Sequence, residues 1–416
     1  MTQRTETADG LPAQPFFSTP QQRLALARQR YFDEGVRPSG LLHESLIQSW
    51  SRCVQARRDP GERIAFQPVS AGRAHSALQR SRLLVTSAAC ELSQLEATLA
   101  GTGCSAILTD AQGVVVHAIR SAGEQDAVLL PIASRVGVDL AEEEVGTTAP
   151  GMSLRTGQAS VVLGGEHFFG CLQVMYCAAA PIRDIHGQVA GVLDVSSESR
   201  PFGFDAAAVV NLAATMIENR LLRAQSTEHI VVHLQTAPGL IGTPMEGLVG
   251  LDGHGRIAWA NTAAARLLGL AWPTSGAPAE NVLGLEPAAL ARLTRHDGAS
   301  AHRLPNGLTV WLVARMQAND GAGPLAGCGS GFADPAAASP TLNGHATPAP
   351  DPIAAKPAAS TLRDNDRQLV EQTVRACGGN VSKAARTLGV SRGLIYRHLR
   401  NTPSPLPPSP SGRGPG

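Results

Sequence analysis

Residues 378–400 read GGNVSKAARTLGVSRGLIYRHLR, and this stretch carries the clearest fold signal in the chain. Asn380 is placed to cap a helix over residues 381–388, because its side chain can accept a hydrogen bond from the first helical turn. Gly389 follows, and glycine adopts the left-handed conformation of a helix end at little cost. A second helix is predicted over residues 392–400. The stretch therefore predicts two short helices joined by a tight turn.

The two predicted helices also have the side chains needed to pack together. Ala384 and Ala385 are small and allow the helices to cross closely, and Ser391 is placed to cap the second helix. The apolar side chains that can form the shared core are Leu388, Val390, Ile395 and Leu399. This pattern is typical of a helix-turn-helix, whose second helix enters the major groove of DNA.

The charge of this segment differs from that of the whole chain. The 416 residues include 35 basic and 34 acidic residues, a formal net charge of +1 that excludes a uniformly basic nucleic-acid coat. Residues 381–400 contain no acidic residue, and their basic residues are Lys383, Arg386, Arg392, Arg397 and Arg400. A local basic patch favours contact with DNA phosphates. The alternative, a helical hairpin with a solvated basic face, stays open.

We predict DNA contacts for nine residues of this motif. Arg392, Tyr396 and Arg397 are candidates for contacts to base edges or to the backbone, whereas Lys383 and Arg400 would bind phosphates. A two-fold symmetric homodimer predicts half-sites about 34–36 Å apart on double-stranded DNA. The complete predicted set is Ser382, Lys383, Ser391, Arg392, Gly393, Leu394, Tyr396, Arg397 and Arg400.

Composition excludes several other classes of protein. The chain has only two lysines, Lys356 and Lys383, and no glycine-rich loop precedes either, so a P-loop ATPase is excluded. We expect no membrane helix and no secretory signal, because no apolar run is long enough for either. The seven cysteines form no CxxC pair, which argues for a reducing cytoplasm and against a zinc site.

Periodicity predicts a multidomain α+β chain. Apolar residues at helical spacing predict helices over residues 42–58, 76–99 and 204–223. Alternating residues around Asp and Gly turns predict β-hairpins over residues 105–119 and 173–197. The segments predicted are 1–40, a disordered N-terminal arm; 41–74, helical; 75–227, an α+β sensor domain; 228–316, a smaller α+β domain; 317–360, a flexible Gly/Pro/Ala-rich linker; 361–401, the helix-turn-helix; and 402–416, a disordered tail.

The smaller domain is predicted in more detail. EGLVGLD and RIAWA, residues 246–252 and 256–260, alternate as strands around a short turn. Asn261 is placed to cap a helix over the residues that follow it. GLTVWLVARM, residues 307–316, alternates as a closing strand.

Several motifs resemble a known family. SRGLIYRHL is similar to the recognition helix of the all-α Fis-type helix-turn-helix, and QSWSRCVQARRDP resembles the N-terminal signature of acetoin catabolism regulators. EVGTTAPGMSLRTGQASVVLGGEHFF and CAAAPIRDIHGQVAGVLDVSS resemble the GAF sensor domain of that family, and EGLVGLDGHGRIAWANTAAARLLGL resembles a PAS domain. The resemblance implies a cytoplasmic, ligand-responsive transcriptional regulator with GAF-like and PAS-like domains.

The chain departs from that family at one point. Its relatives carry an AAA+ ATPase of about 240 residues, longer than an ordinary domain, between sensor and DNA-binding domain. Here only the linker stands at that place, and the GAFTGA loop that contacts sigma-54 is absent. We therefore expect no ATPase activity and no remodelling of a sigma-54 complex by this chain alone. RNA polymerase and related sigma-54 activators are possible partners, and a non-DNA role in hetero-oligomers with such activators is the alternative function.

The GAF resemblance implies a pocket for an unidentified small-molecule effector. The predicted wall residues are Thr147, Thr148, Met152, His167, Phe168, Met175, Tyr176 and Cys177. Alternative chemistries are a Cys/His nucleophile formed by His167 with Cys171 or Cys177, a metal site at Glu166, His167 and Cys171, and a haem on His302. No coherent catalytic constellation supports an enzyme, so we predict no catalytic residues, no metal and no cofactor.

Overall fold

The computed structural model describes residues 19–120, 127–227, 229–270, 276–295, 298–316 and Thr373. The linker, the tail and the helix-turn-helix with its nine predicted DNA contacts lie outside the described residues, apart from Thr373 in the preceding helix. The predictions for those segments are therefore not tested by the structure.

The described N-terminal residues are helical. Thr19 caps the first helix and Pro20 occupies its first turn, where the missing N–H of proline costs nothing. Residues 20–33 are thus helical, although their sequence predicts a disordered arm. The fully buried Ala27 shows that tertiary packing holds them. The elements are α1 Pro20–Arg28, a π-helix Gln29–Asp33, and α2 Glu44–Gln55, which confirms the helix predicted over residues 42–58.

The next elements form an α/β domain around an antiparallel sheet. Both predicted hairpins are confirmed, and the helix predicted over residues 76–99 is divided into two at Ser81. The helices are α3 Ala71–Arg80, α4 Arg82–Leu99, α5 Leu130–Ala133, α6 Glu142–Val145, α7 Ala149–Thr156 and α8 Ala206–Gln225. The strands are β1 Cys104–Asp110, β2 Val115–Ile119, β3 Ser160–Leu163, β4 Met175–Arg183 and β5 Val189–Glu198, in the order β2-β1-β5-β4-β3. Short 3₁₀ helices span Gly164–Glu166 and Gly170–Leu172.

The two faces of this sheet support two separate cores. Successive side chains of a strand point to opposite faces, so β5 presents Leu193 and Val195 to one side and Val192 to the other. The side of Leu193 packs against α4 and α8, where Leu92 and Ile217 are buried. The side of Val192 packs against the N-terminal helices and the segment between β2 and β4.

A second, smaller α/β domain follows α8. Asn261 caps α9 as predicted, since its side chain accepts a hydrogen bond from Ala264 N at 2.9 Å. The elements are β6 Ile230–Gln235, a 3₁₀ helix Pro238–Leu240, β7 Gly247–Leu251, β8 Ile257–Ala260, α9 Thr262–Leu268, α10 Ala279–Leu283, α11 Pro287–Leu293, β9 Ser300–Arg303 and β10 Thr309–Met316. The strands form an antiparallel sheet in the order β8-β7-β6-β10-β9, so the first strand along the chain lies in the centre.

Helix α8 belongs to both domains. Leu222 near its C-terminal end is buried with Val231, Leu248 and Trp259 of the second sheet. Asn261 donates a hydrogen bond to Asn219 of α8 at 2.9 Å. The end of α8 is therefore packed against the second domain.

The backbone of β5 at Gly191 leaves no room for a side chain. A Cβ atom there would overlap the carbonyl oxygen of Thr109 on β1 and would lie 2.7 Å from Leu84 Cδ2. We expect Gly191→Ala to lower the free energy of unfolding by about 1–3 kcal/mol, the usual cost of overpacking. Urea denaturation measures the loss. Gly203→Ala is the matched control, because nothing lies within 4 Å of its added Cβ, and equal stabilities of the two variants would contradict the prediction.

Candidate functional site

A small cavity lies on the Val192 side of the first sheet. Its volume is about 30 Å³, enough for one water molecule and too small for a larger ligand without movement of its wall. Strands β1, β4 and β5 form its floor, and the segment between β2 and β4 covers it. The lining residues are Phe66, Ile107, Leu130, Ala133, Leu140, Thr148, Pro150, His167, Leu172, Met175, Cys177, Asp194 and Ser196.

A buried carboxyl group is the most unusual part of the cavity wall. Asp194 is 1% exposed, and its Oδ2 accepts a hydrogen bond from Ser196 Oγ at 2.6 Å. Its Oδ1 is buried without a hydrogen-bond partner among the described residues. Burial raises the pKa of Asp194 to about 7, because the charged form loses its hydration. The cavity therefore contains a carboxyl group that is about half protonated near pH 7.

His167 and Cys177 meet at the same cavity. His167 Nδ1 lies 2.9 Å from the carbonyl oxygen of Gly164, which can only accept, so Nδ1 carries the proton. Its Nε2 lies 3.6 Å from Cys177 Sγ and can accept from the thiol. Burial lowers the pKa of His167 to about 4 and raises the pKa of the Cys177 thiol well above its usual range. Both groups are thus neutral, and a thiolate nucleophile is disfavoured although the pair is in contact.

The strand register extends the polar wall across the sheet. Cys177 on β4 and Ser105 on β1 both lie opposite Ser196 on β5, so three polar side chains cross the sheet in one row. Ser105 Oγ is buried without a hydrogen-bond partner among the described residues. Buried polar atoms ordinarily have partners, so these groups point to an additional water or ligand.

Four of the eight predicted wall residues line the cavity: Thr148, His167, Met175 and Cys177. Thr147 Oγ1 lies 2.7 Å from Ser49 Oγ of α2, and Met152 and Phe168 are buried in the surrounding core. Tyr176 lies on an outer groove beside α1. The structure gathers half of the predicted set at one cavity and places the other half around it.

Sequence reasoning missed Asp194 and Ser196. Both belong to the stretch GVLDVSS, where they alternate with the buried apolar residues Leu193 and Val195. Polar residues at every second position of a strand commonly indicate a solvated face. Here helices and loops cover that face, so β5 is buried on both sides. Polar residues in a strand that is buried on both sides are the signal that identifies Asp194 and Ser196.

The residues considered for metal or haem binding have other partners. Glu166 Oε2 accepts from Leu163 N at 2.8 Å, and Cys171 Sγ lies 3.5 Å from the carbonyl oxygen of Glu62. His302 Nε2 lies 2.7 Å from the carbonyl oxygen of Leu283. Within the described ranges, no group of three His, Cys, Asp or Glu side chains is arranged to hold a metal ion. In the same ranges no helix combines the length and the apolar character needed to cross a bilayer.

Two protein families match separate parts of the chain. Residues 19–219 match the family described as MimR, N-terminal domain. Residues 361–401 match the family described as bacterial regulatory protein, Fis family. The first match covers the N-terminal helices and the domain that contains the cavity, and the second covers the predicted helix-turn-helix.

Curated relatives agree with these family matches. The chain is 36% identical over 251 residues to the acetoin catabolism regulatory protein of Cupriavidus necator, which covers 59% of this chain and 37% of that protein. It is 27% identical over 196 residues to the propane 2-monooxygenase operon transcriptional activator MimR of Mycolicibacterium smegmatis, covering 47% of this chain and 32% of that one. The chain thus spans about a third of the length of these relatives, and the predicted resemblance to acetoin catabolism regulators is confirmed.

Among solved structures, the chain is similar to one from the E. coli DhaR(N)–DhaL complex. The match has a TM-score of 0.41 and 16% sequence identity, and it covers 65% of this chain and 99% of that chain.

Proposed function

We propose that the protein is a transcriptional regulator that binds double-stranded DNA through residues 361–401 and responds to a small molecule bound in the first α/β domain. The observation that carries the DNA-binding part is the match of this segment to the Fis family, together with its acid-free basic sequence. The protein acts in the cytoplasm, as a homodimer on paired half-sites. Its first domain is GAF-like and its second domain is PAS-like.

The cavity supports the effector part of the proposal. Asp194, which lines the cavity, leaves its buried Oδ1 without a described partner, and a ligand with a hydrogen-bond donor would satisfy it. None of the lining residues carries a positive charge that could pair with an anion, since His167 is neutral. The lining therefore favours a polar effector that is not an anion. Because the cavity is small, a ligand larger than water binds only if part of the cavity wall moves outward.

The regulator works without an ATPase of its own. The 44 residues from 317 to 360 are far fewer than an AAA+ domain needs, and no P-loop occurs in the sequence. An effector therefore changes the placement or the availability of the DNA-binding segments rather than driving ATP hydrolysis.

Footprinting with the full chain tests the DNA-binding part. The probe is the promoter region upstream of its own gene, at low ionic strength and with pools of uncharged metabolites added. Protection of two half-sites is expected, and no protected bases under any of these conditions would refute the proposal. Melting temperatures with the same pools test the effector part, because a ligand at 100 times its dissociation constant adds about 2.7 kcal/mol of stability.

A second candidate function is modulation of full-length activators through hetero-oligomers. It is favoured by one observation, the sequence similarity to activators combined with the short linker at the ATPase position. Affinity capture of a sigma-54 activator from the same cell by the full chain separates the two. Capture without any footprint supports this second function, and a footprint without capture supports the first.

A further inference from the structure

The loop that carries His167 is held by side chains from outside its own domain. Arg28 of α1 donates from Nη1 to the carbonyl oxygens of Gly165 and His167, both at 2.8 Å. Its Nη2 donates to the carbonyl oxygen of Phe168 at 3.4 Å. Trp50 of α2 donates from Nε1 to the remaining carbonyl, that of Glu166, at 2.8 Å. Four successive carbonyl groups are thus bound by the N-terminal helices.

Aromatic rings pack against the guanidinium group of Arg28. Its guanidinium carbon lies 4.7 Å from the ring centroid of Phe32 and 5.5 Å from that of Trp50. Within the described ranges it forms no ion pair, so the loop carbonyls are its main polar partners. The planar guanidinium group of arginine has several N–H donors in a fixed geometry and can bind three carbonyls together. The ammonium group of lysine cannot reproduce this arrangement.

The loop in turn contributes to the cavity wall. His167 follows the 3₁₀ helix Gly164–Glu166, lines the cavity and is fully buried, with Nε2 against Cys177. Without Arg28, three of these carbonyls would lose their donor. Apolar packing such as that of Phe168 on Phe32, together with the hydrogen bond from Trp50, would then have to hold the loop, so His167 would move away more readily. Access to Cys177 therefore depends on a residue that does not itself touch the cavity.

We propose that Arg28 is a positioning residue of the effector site, which holds the His167 loop closed over the cavity from the N-terminal helices. The inference rests on the proposed function for its biological meaning, but the contacts that carry it are independent of any effector. Entry of a ligand then requires partial release of this clamp. Effector binding is thereby coupled to the docking of α1.

Alkylation of buried thiols tests the clamp in the full-length protein without an effector. The probe is N-ethylmaleimide, and peptide mass spectrometry follows Cys177 and Cys104 separately. Both are buried, but Cys104 belongs to the core on the opposite side of the sheet. We expect Arg28→Met to accelerate labelling of Cys177 by roughly tenfold, the size of one lost hydrogen bond to a charged group, with Cys104 unchanged. Arg30→Met, an exposed position two residues further along, is the matched control.

The outcomes distinguish positioning from general stability. Selective labelling of Cys177, with an intermediate rate in Arg28→Lys, supports the clamp. Equal Cys177 rates in Arg28→Met and Arg30→Met overturn it, as does a parallel rise of Cys177 and Cys104, since Arg28 would then support the fold as a whole. If Arg28→Met does not fold, Arg28→Lys is judged by the same Cys177 to Cys104 ratio. The test involves neither DNA nor a ligand, so its failure leaves the footprinting result untouched.

Discussion

Replacing Arg392 and Arg397 together by Ala is expected to weaken binding to the operator by about 2–6 kcal/mol, since each lost base contact costs about 1–3 kcal/mol. Both residues lie in the predicted second helix of the basic segment, where no acidic side chain offsets their charge. If one of them contacts phosphate instead, binding to every DNA sequence weakens by a similar amount. The slope of log affinity against log salt concentration then decreases in magnitude by about one. Fluorescence anisotropy with a labelled duplex over a range of salt concentrations measures both quantities.

The control for this double variant is the pair Arg82→Ala and Arg295→Ala. Both arginines are exposed. Replacing them removes two positive charges from the α/β domains, the same number that the Arg392 and Arg397 variant loses. Unchanged affinity and unchanged salt slope in the Arg392 and Arg397 variant would show that the C-terminal segment does not bind DNA. An equal loss in the control variant would show that the effect comes from net charge alone.

Local signals made much of the fold predictable. The hairpin of β1 and β2 turns at residues 111–113, where Asp110 Oδ1 accepts hydrogen bonds from Gln112 N and Val114 N, each at 2.9 Å. Asn261 identified the start of α9 because an N-cap needs only a short polar side chain beside the first turn. Such interactions join residues a few positions apart, so the sequence alone contains them.

Long-range contacts account for the elements that were missed. Strand β6 lies between β7 and β10, and Trp311 of β10 pairs with Gln235, so its place depends on residues far along the chain. Helix α1 has no strong apolar pattern of its own, and it is held by Arg28 and by the buried Ala27. A local sequence pattern predicts neither strand pairing nor helix packing of this kind, because both depend on a distant segment.

The candidate site was predictable only in part for the same reason. The motif resemblance indicated the loop of His167 and the start of β4, and the structure places His167 and Cys177 in contact. Asp194 lies on β5, next to Ala179 of β4 and Ile107 of β1 in register, and these apolar neighbours gave no sign of a polar cavity. The place of Asp194 in the cavity wall is evident only once the segment between β2 and β4 covers the sheet.

Asp194→Asn is expected to remove a stability penalty that reaches about 4 kcal/mol above pH 7. The pKa of Asp194 is about 7 in the folded protein and 3.8 in the reference state, so the folded state binds more protons between these values. Stability from this group is therefore complete below pH 3.8 and is lost as the pH rises to 7. Relative to the variant, the wild type should lose about 2–3 kcal/mol between pH 5 and pH 8.

The comparison with the variant is necessary because His167 acts in the opposite direction. Its pKa falls from 6.5 to about 4 on folding, so its contribution to stability increases as the pH rises through that window and partly masks Asp194. Burial also raises the pKa of Glu218 to about 7, which adds a slope of the same sign as that of Asp194. Both contributions cancel in the difference between wild type and Asp194→Asn, measured by urea denaturation at each pH. A pH-independent difference between wild type and Asp194→Asn would show that this carboxyl group is ionised in the folded cavity.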